Sequence, residues 1–187
     1  MRDKMKEVGQ MSPFAQSITE EQVERLIREY GDDVYKVAYL YMKDKVIAED
    51  IFQDVFYKVM KNYASFRQES TEKTWIMRIT INTCKDKLRS SWFRRVKLVE
   101  QYDDNQEVVV NPVDVIQQER HQQLYQAIYE LSPKHKEILI LFYFKEYTYE
   151  EIGDILSIPL GTVQSRLSRA KSKLKKQLLE GGERSNG

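Results

Sequence analysis

The chain has 187 residues, with 30 Lys and Arg against 29 Asp and Glu, which gives a formal net charge of +1. Hydrophobic residues make up 41% of it, including 12 Tyr, 7 Phe and 2 Trp, which is enough for small cores and excludes disorder throughout. The longest apolar run, 138–144, is far shorter than the roughly 20 residues that span a bilayer, and no apolar signal segment follows the N-terminus. Cys84 is the single cysteine, so no internal disulfide can form and we expect a soluble intracellular protein.

Basic residues concentrate in two short stretches, although the total charge is close to zero. Lys73–Arg95 carries seven Lys or Arg and one acid, and Leu160–Lys176 carries six and no acid. The segment 96–123 between them is acidic, with two basic and six acidic side chains. Two basic stretches in different halves indicate two surfaces that face nucleic acid, the alternative for each being a solvated helix face.

The first half of the chain begins with two predicted helices. Apolar residues at steps of three and four run from Val23 to Tyr41, with Gly31 as a possible break. A second helix has a wide apolar face from Ala48 to Tyr63. At about 100° per residue, its opposite face is polar and is expected to be exposed. That face carries Asp50, Gln53, Asp54, Tyr57 and Lys61.

A third helix is predicted from about Thr74 to Phe93, after the polar loop 66–74. Its apolar side begins with Trp75. On spacing alone, a Trp at this position is more typical of a core residue than of a side chain that inserts between DNA bases. The other side is basic, because residues three and four apart share a face. That side carries Arg78, Asn82, Lys85 and Arg89.

The second half begins with a polar, acidic segment, 96–112, which has no helical period and predicts a linker. Pro112 and Pro133 each have the sequence context of a proline at the first position of a helix, so a helix is predicted to begin at each. Thr148 with Glu151 has the spacing of a capping box, and Gly153 would let another helix approach closely.

The strongest local pattern is a pair of helices around a tight turn at 157–162, the second helix being basic and free of acids. This pattern predicts a helix-turn-helix, the alternative being an antiparallel hairpin in a helical bundle. Small polar groups and arginines face away from its apolar stripe, as contacts with base edges and phosphates require. They are Gln164, Ser165, Arg166, Ser168, Arg169 and Ser172.

Three blocks of the sequence, in this order and spacing, resemble the extracytoplasmic-function (ECF) group of bacterial sigma factors. They are AEDIFQDVFYKVMKNY (48–63), TWIMRITINTCKDKLR (74–89) and LSPKHKEILILFYFKEYTYEEIGDILSIPLGTVQSRLSRAKSKL (131–174). The resemblance implies an all-α chain of two small helical domains joined by a flexible linker. It divides the chain into a leader (1–20), a domain for core polymerase and the −10 element (21–95), the linker (96–112), a −35 domain with the helix-turn-helix (113–180) and a tail (181–187).

The resemblance also implies a function. A protein of this family binds core RNA polymerase, directs it to promoters and promotes DNA melting, without being an enzyme. The implied partners are core polymerase, through its β′ clamp helices and β flap, promoter DNA and a cognate anti-sigma factor. The resemblance implies no cofactor, metal or small-molecule substrate, and a place in the cytoplasm.

Site residues follow from the match, residue by residue. The resemblance assigns polymerase binding to Asp50, Gln53 and Asp54, and −10 DNA binding to Phe66, Arg78, Asn82, Lys85 and Arg89. It assigns −35 DNA binding to Thr162, Gln164, Ser165, Arg166 and Arg169. Gln164 departs from the Arg or Lys that is frequent at its position in the family, and a Gln favours adenine edges.

Two other classes of protein compete with this interpretation. An enzyme has little support, because His121 and His135 lack a second ligand at metal spacing and Cys84 lacks a C-x-x-C partner. A stand-alone regulator would place the helix-turn-helix on a sensory or dimerisation unit. The second basic stretch counts against it, and comigration with core RNA polymerase would decide between the two.

Overall fold

The regular elements of the protein are helices throughout the described residues, which in this computed structural model are 18–90 and 123–184. This confirms the all-α prediction. The first 17 residues of the predicted leader, the linker 96–112, Pro112 and residues 185–187 lie outside the described residues. The helices are α1 (Glu20–Met42), α2 (Lys45–Asn62), α3 (Glu72–Arg89), α4 (123–130), α5 (Pro133–Leu139), α6 (Tyr149–Leu156) and α7 (Leu160–Arg184).

Helices α1, α2 and α3 pack on one another and form the N-terminal unit, residues 18–90. The Thr19 side chain caps α1 in a capping box with Gln22. The predicted break at Gly31 is wrong, because α1 continues through it without interruption. A Cβ at Gly31 would lie 3.3 Å from Cε2 of Phe52, so this glycine permits the close approach of α1 and α2.

Helix α3 begins at Glu72, two residues before the predicted start, because the Thr71 hydroxyl accepts a hydrogen bond from the Thr74 backbone N–H and caps it. The predicted end at Phe93 lies outside the described residues. On its inner side α3 buries Cys84 completely. Burial raises the pKa of this thiol to about 12.

Helices α4 to α7 make up the C-terminal unit, residues 123–184. Pro133 begins α5 as predicted, and a π-helical turn, Ile140–Phe144, continues it. The predicted capping box of Thr148 and Glu151 is present at the start of α6. A Cβ at Gly153 would lie 3.0 Å from the Ile158 carbonyl oxygen, so this position tolerates only glycine without a shift of the turn. Helices α6 and α7 thus form the predicted helix-turn-helix, with Ser157 in the left-handed conformation at the turn (φ 54°).

The two units pack against each other, mainly through α3 and α6. Their buried apolar side chains belong to one continuous cluster. The sequence predicted two domains but contained no indication of this contact. No helix in the described ranges is long and apolar enough to span a bilayer.

Candidate nucleic-acid interface

The polar stripe of α2 is exposed, as predicted. Asp50, Gln53 and Asp54 all lie on the solvent side, opposite the buried Ile51 and Val55. Asp50 forms an ion pair with Lys87 of α3. Beside the stripe, α1 and α2 leave a groove of about 510 Å³ that Gln53 lines together with Ile27, Tyr35 and Phe52. An acidic stripe beside an apolar groove is suited to an amphipathic, basic partner helix.

Between α2 and α3, three aromatic rings form a cluster beside a polar pocket. The ring centroids of Phe66 and Trp75 are 4.9 Å apart, and Tyr63 packs edge-on against Trp75 at 6.1 Å. Phe66, Trp75 and Arg78, with residues of the loop 65–70, line a pocket of about 250 Å³. A pocket that combines aromatic faces, hydroxyls and a guanidinium can hold an unpaired base. Trp75 therefore lines the wall of the pocket. The helical periodicity of the sequence could not distinguish this position from one in the hydrophobic core.

A partly buried ion pair fixes the pocket to the rest of the N-terminal unit. Glu72 accepts two hydrogen bonds from the Arg25 guanidinium of α1, at 2.8 and 3.0 Å, and one from the Tyr63 hydroxyl at 2.5 Å. The hydrogen bonds from Arg25 are the largest cause of the lowered pKa of Glu72. Because Tyr63 belongs to the aromatic cluster, Arg25 and Glu72 position the pocket. Sequence reasoning missed this group, since Arg25 is 47 residues away from Glu72.

The basic side of α3 is only partly open to solvent. Asn82 and Arg89 are exposed, and Arg89 lies 3.7 Å from Asp86. Arg78, however, donates to the Asp154 carbonyl oxygen of α6 at 2.6 Å, and Lys85 pairs with Glu137 of α5 at 2.7 Å. The C-terminal unit therefore covers part of the surface that the sequence predicts to meet −10 DNA.

The outward face of α7 is more accessible. Gln164, Ser165 and Arg169 are exposed, and Thr162 is half-buried in the first turn. Arg166 differs from these residues, because its guanidinium lies 3.4 Å from the Glu137 carboxylate. The face that the sequence predicts to meet −35 DNA is thus open at Gln164, Ser165 and Arg169 and partly covered at Thr162 and Arg166.

Charged groups line the contact between the two units, which we call the seam. Besides the Arg78 and Lys85 contacts, Lys145 of the C-terminal unit pairs with Asp33 of α1 at 2.5 Å. Lys136 is buried and donates to the Tyr41 carbonyl oxygen at 3.0 Å. Desolvation and the nearby Glu137 carboxylate raise the pKa of the Tyr41 phenol. The seam therefore combines apolar burial with ionic contacts.

His135, for which the sequence shows no second ligand at metal spacing, is buried. Its Nδ1 lies 2.9 Å from the Ser132 hydroxyl. Burial, followed by the cations Lys173 and Lys134, lowers its pKa. Within residues 18–90 and 123–184, no group of three or more His, Cys, Asp or Glu could hold a metal ion.

Comparison with known proteins identifies both units. Family models match Sigma-70 region 2 over residues 26–94 and Sigma-70, region 4 over residues 121–174. The ECF RNA polymerase sigma factor SigW of Bacillus subtilis is 32% identical over 158 residues, which cover 80% of this chain and 84% of SigW. SigE of Mycolicibacterium smegmatis is 32% identical over 157 residues, and the match covers 83% of this chain but 61% of SigE.

A solved structure supports the fold. The sigma factor RpoE from Bartonella quintana, in a complex with the anti-sigma factor NepR, has a TM-score of 0.64 and 22% sequence identity. The match covers 84% of this chain and 97% of that chain. An all-α protein that carries sigma-70 regions 2 and 4 is a promoter-specificity subunit of bacterial RNA polymerase. This chain belongs to the ECF group of sigma factors. It binds core polymerase and promoter DNA in transcription initiation, which decides against the stand-alone regulator.

Proposed function

We propose that the chain docks on core polymerase through the exposed stripe of α2. Asp50, Gln53 and Asp54 would contact the basic β′ clamp helices, and the groove beside Gln53 would take an apolar side chain of the same partner. The observation that carries this proposal is the exposure of Asp54 directly opposite a buried face, where its charge contributes nothing to the core. A second contact, with the β flap, would use the C-terminal unit, where Leu178 and Leu179 of α7 are exposed.

Recognition of the −35 duplex would fall to the outward face of α7, placed in the major groove. Gln164 and Arg169 would read base edges, while Thr162 and Ser165 contact the backbone. Arg166 would join them once its pair with Glu137 is broken. The exposure of Gln164, Ser165 and Arg169 supports this role.

Melted −10 DNA would lie along α3, with one extruded base in the aromatic pocket. Phe66 and Trp75 would stack on the base, and the exposed Asn82 amide, which can both donate and accept, would read a base edge. Arg78, Lys85 and Arg89 would bind phosphates. The pocket of about 250 Å³ beside the basic helix supports this arrangement.

In this proposal the chain supplies no catalytic chemistry and acts in the cytoplasm with the polymerase. Residues 21–95 are the polymerase and −10 domain, and 113–180 are the −35 domain. The RpoE of Bartonella quintana was crystallised together with an anti-sigma factor. We propose that a partner of the same class binds this chain.

The experiment that tests the proposal combines one charge reversal with start-site mapping. Asp54→Arg should reduce assembly with core polymerase at least about tenfold, because it places a cation against a basic helix. Since Asp54 is exposed, the free energy of unfolding should change by no more than about 0.5 kcal/mol. Glu24→Arg reverses an exposed acid of α1 and serves as the matched control.

Assembly is measured by native gel shift and thermal stability by circular dichroism. Sequencing of the RNA 5′ ends made by the wild-type holoenzyme gives the promoters that the chain selects. Normal assembly of Asp54→Arg would remove the α2 stripe from the interface. Random start sites would contradict promoter selection itself.

A further inference from the structure

The loop that lines the aromatic pocket is closed by a hydrogen bond between its two ends. It follows Tyr63, in the 3₁₀ turn Tyr63–Ser65, and leads to Glu72, the first residue of α3. The Tyr63 hydroxyl donates to the Glu72 carboxylate at 2.5 Å, although the two residues are nine positions apart in the sequence. The segment 64–71 between them supplies most of the residues that line the pocket.

Arg25 anchors this closure to α1. Its guanidinium donates two hydrogen bonds, at 2.8 and 3.0 Å, to the carboxylate that accepts from Tyr63. A pair of this geometry fixes direction as well as distance. The hydrogen bonds from Arg25 are the largest cause of the lowered pKa of Glu72, so this carboxylate is charged at neutral pH. The hydrogen bond to Glu72 is in turn the largest cause of the raised pKa of the Tyr63 phenol, which therefore keeps its proton and stays a donor.

The closed segment holds one residue in an unfavourable backbone conformation. Gln68 is left-handed, with φ 57°. This region is disfavoured for a residue that has a Cβ, and such residues persist where the surrounding structure holds them. The Gln68 side chain is exposed, so packing of that side chain does not hold the backbone. The hydrogen bond between Tyr63 and Glu72 constrains the segment instead, because it fixes the distance between the two ends.

The same hydrogen bond restrains the aromatic cluster. The Tyr63 ring packs edge-on against Trp75 at 6.1 Å and lies 6.2 Å from the Phe66 ring. With its hydroxyl held by Glu72, Tyr63 cannot turn away from these two rings. A pocket that is held in its binding geometry spares the cost of ordering the loop when a ligand binds.

We propose that Arg25 is a positioning residue for base capture. From α1 it holds Glu72, Glu72 holds Tyr63, and the pocket for the extruded −10 base is thereby formed before the base arrives. Arg25 itself touches neither a base nor a phosphate in this arrangement. The proposal rests on the assignment of the pocket to an extruded base under Proposed function. It adds that capture of this base depends on α1, a helix outside the predicted DNA surfaces.

Arg25→Met is the direct test, because it removes the guanidinium and keeps an unbranched side chain. The probe is a fluorescent promoter fragment, chosen from the mapped start sites, with an unpaired −10 non-template strand, and it is bound by the holoenzyme. A second set of fragments carries an abasic site at each −10 position in turn. The wild type should bind the intact fragment more tightly than the fragment that is abasic at the captured position.

The two kinds of fragment separate base capture from support of the fold. Arg25→Met should bind the intact fragment about tenfold more weakly than the wild type, since a pocket that is formed one time in ten lowers apparent affinity by that factor. On the fragment that is abasic at the captured position, variant and wild type should bind equally. A role of Arg25 in the fold alone would weaken binding to both fragments by the same factor.

A second variant and two controls make the test specific. Tyr63→Phe removes only the hydroxyl and leaves the ring and the ion pair of Arg25 in place, so it should show the same pattern with a smaller factor. Arg28→Met makes the matched change at an exposed arginine of α1. Glu29→Gln alters the other acceptor of Arg25, which lies 2.9 Å away. Both controls should bind both fragments as the wild type does.

The proposal is overturned when folded Arg25→Met or Tyr63→Phe binds the intact fragment as tightly as the wild type, or loses the same factor on the abasic fragment. If Arg25→Met loses its helical circular dichroism, Tyr63→Phe decides by these two criteria. A wild type that binds the intact fragment and every abasic fragment equally would contradict the base pocket of the proposed function. Discrimination by the wild type together with unchanged variants would contradict the positioning role alone.

Discussion

The two helices that we propose to face DNA, α3 and α7, differ in how the rest of the chain restrains them. On α3, the C-terminal unit engages Arg78 and Lys85, and only the Asn82 and Arg89 side of the face stays exposed. On α7, Arg166 pairs with Glu137 of the same unit, while Gln164, Ser165 and Arg169 are open to solvent. The packing of the two units therefore covers the proposed −10 surface far more than the proposed −35 surface.

This difference separates two tasks that a promoter-specificity subunit performs on different forms of DNA. A duplex −35 element exists before melting, and an exposed α7 can meet it without a change in the pocket of α3. Unpaired −10 bases exist only after the strands separate, and under the proposed function their capture uses Arg78 and Lys85, which the seam occupies. We therefore expect variants on α7 to weaken binding of the −35 duplex, and variants on α3 to weaken the capture of unpaired −10 bases.

The largest effect is expected for Arg169→Ala. Arg169 is exposed, and if it binds guanine with both nitrogens, its loss should weaken −35 binding by about 1–3 kcal/mol. Binding is measured by fluorescence anisotropy on duplexes varied at each −35 position. Lys175→Ala, an exposed cation further along α7, is the matched control. An equal loss on every −35 variant would assign Arg169 to a phosphate, and no loss would remove it from the interface.

A smaller, base-dependent effect is expected for Asn82→Ala. Core binding and −35 duplex binding should stay normal, because Asn82 is exposed and lies outside both surfaces. Open-complex formation should fall about tenfold, but only on promoters that carry one particular base at one −10 position. A tenfold loss corresponds to one lost base contact of roughly 1.4 kcal/mol. We would measure open-complex formation by permanganate footprinting and abortive initiation on promoters varied at each −10 position.

A pre-melted promoter separates two explanations for such a loss. It should rescue a defect in strand opening and leave a defect in base capture in place. A loss that is equal for all −10 variants would show that Asn82 supports the helix rather than reads a base.

The smallest effect is expected for a pair of glycine substitutions that tests the support of α7. Gly153→Ala would bring a Cβ to 3.0 Å from the Ile158 carbonyl, and the resulting shift of the turn should lower the free energy of unfolding by about 1 kcal/mol. Gly161→Ala meets nothing within 4 Å, so it should be neutral or stabilise α7 by up to about 0.5 kcal/mol. Urea unfolding followed by circular dichroism gives both values. Equal effects of the two variants would show that the turn does not depend on the close approach at Gly153.

Local sequence signals predicted the helices and their beginnings well. These signals depend on contacts between residues that are close in the sequence. Examples are the capping box of Thr148 and Glu151, the helix-initiating Pro133 and the apolar stripes. The exposed stripe of α2 was equally predictable, because helical periodicity separates its buried face from its polar face. The helix-turn-helix combined several such signals and was confirmed.

Contacts between distant segments could not be predicted in this way. Lys136 and Glu137 are charged residues in a short helix, and no local pattern shows that both are buried in a seam. Gly31 was predicted as a possible helix break. The Phe52 ring, which explains why a glycine stands at this position, lies on another helix and leaves no local sign in the sequence. The sequence predicted that the basic residues of α3 share one face. It could not predict that the C-terminal unit covers part of that face, because this depends on how the two units pack. The roles of the individual site residues in DNA and polymerase binding stay predictions.

The burial of Cys84 has a consequence for oxidants and for chemical labelling. A thiol whose pKa is about 12 carries almost no thiolate at neutral pH, and thiolate is the form that peroxide and maleimides attack. The folded chain should therefore keep this sulfur reduced under oxidative stress. Cysteines introduced at the exposed positions Tyr57 and Leu179 would be modified selectively beside it, so a pair of dyes could report the separation of the two units molecule by molecule.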